Sequence, residues 1–188
     1  VPMAATPPQV TAEGIEEWEC VEASVDTLFS LPVVAVEGYT LVYEDAALRE
    51  RLHRATGKDI TRFFFATQLA FEPALSARVE ALLQQTVTSA AQGAFADRLE
   101  DRGLTDIQHG GRRRVSVSAG GRASATAFTG SYECDGTAIP IEGLLAVWRD
   151  DGFTIAGGAH PVGDGGLGVD VEPERYESEL LELIGGVA

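Results

Sequence analysis

The sequence predicts an α+β protein, an antiparallel β-sheet flanked by helices as a three-layer sandwich. Three observations carry that prediction. Several strand-like segments, above all residues 60–71, are apolar on both alternations and so need cover on both faces. Turn signals in the second half recur at hairpin spacing, which makes neighbouring strands antiparallel. One long helical pattern and an amphipathic closing one supply the outer layers. At 188 residues, 45% hydrophobic and 23% charged, the composition is that of a packed domain rather than an acidic disordered chain. A chain of this size buries about 70% of its unfolded surface and folds without a disulfide or metal staple.

Residues 1–14, with Pro2, Pro7, Pro8, Gly14 and small side chains, read as a flexible extended arm ahead of a single domain over 15–188. From Trp18 to Tyr43 the pattern is β-like: Val25, Leu28, Leu31, Val33, Val34 and Val36 lead to a turn expected at Glu37-Gly38, after which Tyr39, Leu41 and Tyr43 alternate with Thr40 and Val42. Asp45 is placed to cap a short helix carrying Leu48 and Leu52 on one face, and Gly57 to end it. In the strand at Ile60–Phe71, Phe63, Phe65, Leu69 and Phe71 fall on one face, Phe64, Ala66 and Ala70 on the other, and Pro73 closes it. Residues 75–102 form the longest helix, with Val79, Leu83, Val87, Ala91, Phe95 and Leu99 as the buried stripe. Its centre, Ser89-Ala90-Ala91-Gln92-Gly93-Ala94, is small-residued, which permits close approach to a sheet, although Gly93 sacrifices about 1 kcal/mol of helix propensity relative to alanine.

Turns are then expected at His109-Gly110-Gly111, Ala119-Gly120-Gly121, Asp135-Gly136 and Asp150-Asp151-Gly152. Val115 and Val117 alternate in the first strand between them; Phe128 and Tyr132 mark the next, Ile139, Ile141, Leu145 and Val147 a longer one, and Phe153 and Ile155 the last. A glycine-rich loop is expected over Gly157–Gly168. Pro173 opens a closing helix whose buried face is Tyr176, Leu180, Leu183 and Ile184.

The run from Gly121 to Tyr132, GRASATAFTGSY, the run from Leu144 to Gly157, LLAVWRDDGFTIAG, and the amphipathic terminal helix resemble the second half of the Mog1/PsbP-like α/β/α sandwich. The order of elements is similar from about Trp18 to Ile184. The chain also resembles an uncharacterised family from salt-loving archaea. The resemblance is architectural and implies a non-enzymatic background of protein-binding or accessory subunits; it transfers no functional residue.

Fourteen Lys+Arg against 29 Asp+Glu give a formal net charge of −15. The carboxylates are spread from Glu13 to Glu182, Lys58 is the only lysine beside thirteen arginines, and asparagine is absent. A G+C-rich genome and a salt-adapted proteome both produce this bias, and a halophilic cytoplasm is the expected setting, since molar salt screens a carboxylate surface. The same charge excludes nucleic acid and anionic membranes as expected partners. No apolar run of membrane-spanning length occurs, and residues 1–10 lack the basic start and apolar core of a signal peptide. Met3, the only methionine, is expected to be the native start. Cys20 and Cys134 are expected to be reduced packing residues, since neighbouring carboxylates disfavour the thiolate; whether they pair stays open.

Arg112-Arg113-Arg114 is a candidate contact for an anion or an acidic partner, although alternation in a strand leaves only Arg112 and Arg114 on one side. Gly165-Gly166-Leu167-Gly168-Val169-Asp170 matches the first six positions of the calcium nonapeptide once, where that motif works by stacked repetition; Asp164, Asp170 and Glu172 are its candidate oxygen ligands. No phosphate loop, HExxH, CxxC or nucleophile elbow occurs, and His53, His109 and His160 are scattered. No cofactor, metal or catalytic set is therefore expected. Trp18, Phe63, Phe64, Phe65, Trp148 and Phe153 are read as core filling. The expected function is a non-enzymatic accessory or protein-interaction domain that engages a protein partner or a second copy through a sheet edge or the arginine hairpin. The alternative is a module for a small apolar ligand, or an unrecognised enzyme, with a pocket between sheet and helix; a cavity holding a histidine or buried carboxylate beside aromatics would favour it.

Overall fold

A computed structural model describes residues 5–118 and 121–188, without the side chains of Phe29 and Leu31. Met3 as a start and the Ala119-Gly120 part of the expected turn lie outside the described residues. The chain runs β1 (Glu19–Leu31), β2 (Val34–Glu44), α1 (Ala46–Thr56), β3 (Phe63–Glu72), α2 (Ala77–Asp101), β4 (Leu104–Ser116), β5 (Arg122–Cys134), β6 (Thr137–Asp150), β7 (Gly152–Pro161) and α3 (Pro173–Gly185). The strands form one seven-stranded sheet in the order β1-β2-β3-β7-β6-β5-β4, every ladder antiparallel. The protein is α+β, as the two-faced strands and hairpin spacing predict.

Two apolar layers sandwich the sheet. On one face Phe63, Phe65, Phe71, Phe128, Leu145 and Ile155 meet Leu48 and Leu52 of α1 and Val87, Ala91, Phe95 and Leu99 of α2. On the other, Phe64, Ala66, Ala125, Leu144, Ala146 and Trp148 meet Leu180, Leu183 and Ile184 of α3. The expected aromatics thus fill the core, with Trp18 partly buried at its margin.

Local chemistry explains the boundaries. The Asp45 carboxylate accepts the Leu48 N–H at 3.0 Å, and Gly57 ends α1 at φ 71°. Asp135 and Gly136 have φ of 49° and 80°, the two left-handed residues that a two-residue hairpin between Cys134 and Thr137 requires.

Three expected breaks are instead parts of strands. Gly38 lies inside β2, and the turn falls at Pro32-Val33. A Cβ on Gly38 would stand 2.6 Å from Leu28 Cδ1 and 2.9 Å from Thr67 Cγ2, so this glycine makes room for a leucine folded onto the sheet. His109-Gly110-Gly111 marks a register shift within β4, between His109 and Arg112, rather than a turn. Gly157 and Gly158 belong to β7, where they pair with Leu145 and Leu144. A Cβ on Gly158 would lie 2.2 Å from the Phe63 carbonyl oxygen and 2.9 Å from Leu180 Cδ1; close approach of α3, not loop flexibility, selects glycine there.

The segment read as a flexible arm is extended but tied down over residues 5–12. Gln9 exchanges two backbone hydrogen bonds with Ala188, and the Thr11 N–H donates to the Gly186 carbonyl at 2.8 Å. The two chain ends thereby cover the margin of the α3 layer. Among the described residues no helix is long and apolar enough to cross a membrane.

Candidate functional site

α2 packs on β4, β6 and β7, and the space between helix and sheet opens towards β1 and β2. There the small-residued centre of α2 has a structural consequence. Ala90, Ala91, Gly93 and Ala94, with Phe95, Asp97 and Arg98, roof a groove of about 380 Å³ whose floor is Thr40 of β2, Phe65 and Thr67 of β3 and Ile155 of β7. Gly93 is exposed at the margin of the groove, and nothing lies within 4 Å of where its Cβ would stand; this glycine is not packed against the sheet. Leu28 forms the outer wall. It reaches the floor because β1 shifts register between Thr27 and Phe29 and because Gly38 offers no side chain beneath it.

The lining is apolar except at two places. On the floor, Thr40 and Thr67 are directly paired across β2 and β3, each 4% exposed, with their hydroxyls 2.8 Å apart. At the rim stand Asp97 and Arg98. The Arg98 guanidinium lies 5.5 Å from the centre of the Phe65 ring and 3.7 Å from a Glu22 carboxylate oxygen. Phe65 and Phe95 face each other with ring centres 5.7 Å apart. The rim carries both signs of charge.

A smaller pocket of about 170 Å³ opens on the α3 face, lined by Ala127, Leu144 and Leu180 with Arg113, Glu142, His160 and Glu177. His160 is 4% exposed and pairs across the ladder with Glu142. Its Nδ1 lies 3.2 Å from the Pro161 carbonyl oxygen; a carbonyl only accepts, so Nδ1 carries the proton and Nε2 is the free lone pair. Burial pushes the imidazole pKa down, against the pull of Glu142 and Glu177, and keeps the ring neutral. Beside it Arg62, also buried, lies between the rings of Trp18 and Tyr176 at 4.5 and 4.4 Å and pairs with Asp45 at 2.7 Å and Glu179 at 2.5 Å. That cluster joins the start of α1, the segment leading into β3, and α3, with one guanidinium held between two carboxylates.

The residues singled out from sequence do not assemble into a site. Arg113 faces α3 and pairs with Glu177 at 2.6 Å. Arg112 and Arg114 share the opposite face, and neither makes an ion pair among the described residues. Asp164 Oδ1 and Oδ2 accept the N–H groups of Gly166 and Gly168 at 2.9 and 2.8 Å, bonds that hold its carboxyl pKa low. Glu172 pairs with Arg175 at 2.6 Å, and Arg51 is bonded to the backbone carbonyl of Asp170. The candidate cation loop is thus braced by its own backbone, and among the described residues no three His, Cys, Asp or Glu side chains form a metal-ligating group. Cys134 is buried and Cys20 exposed, both free, so Cys20 is no packing residue. His53 is exposed beside Asp59, while His109 stacks on Phe128 at 4.6 Å; the three histidines stay apart.

Both sheet edges are irregular. β1 shifts register twice, between Cys20 and Glu22 and between Thr27 and Phe29. β4 does so between Thr105 and Gln108 and between His109 and Arg112. Such bulges twist an edge away from pairing with another chain. The alternative of a pocket between sheet and helix names the groove's place, but the small residues around Gly93, expected to allow close approach to the sheet, meet nothing at Gly93; the floor hydroxyls and the Leu28 wall depend on register and gave no sequence signal.

The chain belongs to the DUF6517 family, a domain of unknown function whose model matches residues 4–188. No curated protein and no solved structure matches it.

Proposed function

We propose that this chain is a non-enzymatic accessory domain that holds a small apolar molecule in the α2 groove. The observation that carries the reading is the pairing of a 380 Å³ apolar groove with a mid-helix glycine that has nothing opposite its missing side chain. Packing alone gives no reason to keep glycine there at about 1 kcal/mol of helix propensity. The volume falls within the range of small-molecule sites. A cytoplasm of high salt and a Mog1/PsbP-like kinship belong to the same proposal, supported by the net charge of −15 and by the order of strands and helices. Engagement of a protein partner is a second reading, supported by the exposed Val25 and Val33 at the β1 end of the sheet and Leu82 on α2; the irregular edges weigh against partner strands.

The test uses the neutral dye N-phenyl-1-naphthylamine. The wild type should bind it one to one. Gly93→Leu places a larger side chain over the groove's exposed margin, meets no atom within 4 Å at its Cβ and favours the helix, so it should fold normally and lose the dye by about tenfold or more, 1.4 kcal/mol of binding energy. Gly93→Ala should keep most of the binding. Equal dye binding by wild type and Gly93→Leu overturns the proposal.

A further inference from the structure

We infer that the groove selects a neutral apolar molecule carrying a carbonyl oxygen at its inner end, recognised by the Thr40–Thr67 hydroxyl pair. This rests on the groove being a ligand site and adds what the ligand must be.

Each threonine hydroxyl has one donor and two acceptor lone pairs. In a pair 2.8 Å apart one hydroxyl donates to the other, which leaves one O–H over. Neither hydroxyl has another partner among the described residues. Both threonines are 4% exposed, on a floor otherwise made of Phe65 and Ile155. The spare donor therefore lies on the floor of a mostly apolar groove, and a ligand that fills the groove must supply an acceptor or leave that donor unmatched. Charge is disfavoured at that depth. The Arg98 and Asp97 charges stand at the rim, and nothing cationic lies on the floor to hold a carboxylate. An ammonium offers no acceptor at all. A neutral carbonyl oxygen accepts the spare O–H and leaves the rest of the molecule to the aromatic and alanine walls.

Size follows from volume. A cavity of about 150 Å³ takes one benzene. The groove, at about 380 Å³, takes a body of about fifteen non-hydrogen atoms by the same proportion.

Two matched probes test the inference. 2-Acetylnaphthalene carries the carbonyl, and 2-isopropenylnaphthalene has the same shape with a methylene in place of the oxygen. The quantity read is the affinity ratio of the two probes, compared between proteins so that the different hydration of the probes cancels. Either hydroxyl alone suffices as donor, so Thr40→Val and Thr67→Val should each keep the wild-type ratio. The Thr40→Val/Thr67→Val double variant has no donor, and its ratio should fall about five- to tenfold against the acetyl probe, the effect of one net hydrogen bond. The carbonyl stretch of the bound acetyl probe should shift to lower frequency in the wild type and both single variants and lose that shift in the double. Replacing both members of a buried polar pair by same-shaped apolar groups is close to neutral for stability, and the isopropenyl probe, bound by all four proteins, reports an intact groove. An unchanged ratio in the double variant overturns the carbonyl inference while the groove stands as an apolar site. If neither probe binds the wild type, the proposed function itself fails.

Discussion

Among single residues, His160 shows how burial outweighs neighbouring charge. Glu142 beside it on β6, Glu177 on α3 and Arg113 on β4 line its pocket, and Arg62 stands behind Tyr176. The carboxylates favour the imidazolium and Arg62 opposes it, yet desolvation is the largest effect and lowers the pKa. In the unfolded chain the ring titrates near its ordinary value of about 6.5. Above that pH neither state binds the proton, and His160 adds no pH dependence. As pH falls below it, the unfolded state takes up a proton that the folded state refuses, so stability declines until the depressed folded pKa is reached. Denaturant unfolding between pH 7.5 and 5.5 should therefore show falling stability on acidification, with a smaller slope in His160→Leu. Identical slopes in the two proteins would mean that the buried ring takes its proton as readily as the unfolded one. Arg62, equally buried, is by contrast held by ion pairs to Asp45 and Glu179 and enclosed by two aromatic faces.

At the scale of elements, β3 and α3 close tightly on β7 at Gly158. Leu180 sits over Gly158, and the carbonyl of Phe63 lies directly beneath any side chain placed there. Gly158→Ala would force apart either the β3–β7 ladder or the helix, a loss of about 3 kcal/mol, equivalent to roughly 10 °C of melting temperature for a domain of this size. A melt within about 2 °C of wild type would show that the layers give way cheaply. This junction also shows why the element reading succeeded and failed where it did. Hydrophobic period, the Asp45 cap and the Asp135-Gly136 turn are local properties, and they located α1, β3, α2, the β5–β6 hairpin and α3 to within a few residues. Gly38, Gly110, Gly157 and Gly158 look like turn formers in sequence because glycine permits both a turn and a close approach. Only the partner across the sheet or the helix above distinguishes the two, and that partner is far away in the chain. Only the groove's general place, between sheet and helix, was legible: the small residues of α2 suggested close approach rather than a groove, and β1, β2 and β3 supply the wall and floor through their register.

For the whole molecule, electrostatics outweighs any single contact. Arg49, Arg54, Arg62, Arg98, Arg102, Arg113 and Arg175 already pair with carboxylates, yet 29 acidic against 14 basic side chains leave an excess of 15 negative charges on a folded surface. The exposed pairs are worth at most about 1 kcal/mol each, so salt loses little by screening them. It gains by screening the excess, because folding brings like charges closer than they are in the expanded chain. The Debye length falls from about 30 Å at 0.01 M to about 10 Å at 0.1 M and 3 Å at 1 M. Repulsion between neighbouring carboxylates is thus relieved chiefly below about 0.5 M. The melting temperature should rise by several degrees, about 2–4 °C per kcal/mol, as KCl increases over that range, and equally in NaCl. Glu13→Gln/Glu16→Gln/Glu17→Gln should raise the melt at low salt and flatten its dependence, since these three carboxylates crowd the start of the domain. A melt that is flat from 0.01 to 2 M would mean that the surface charge is solvated without mutual strain, and the halophilic setting would lose its physical support. A rise confined to molar concentrations would point instead to salt excluded from the surface, which strengthens apolar burial without screening.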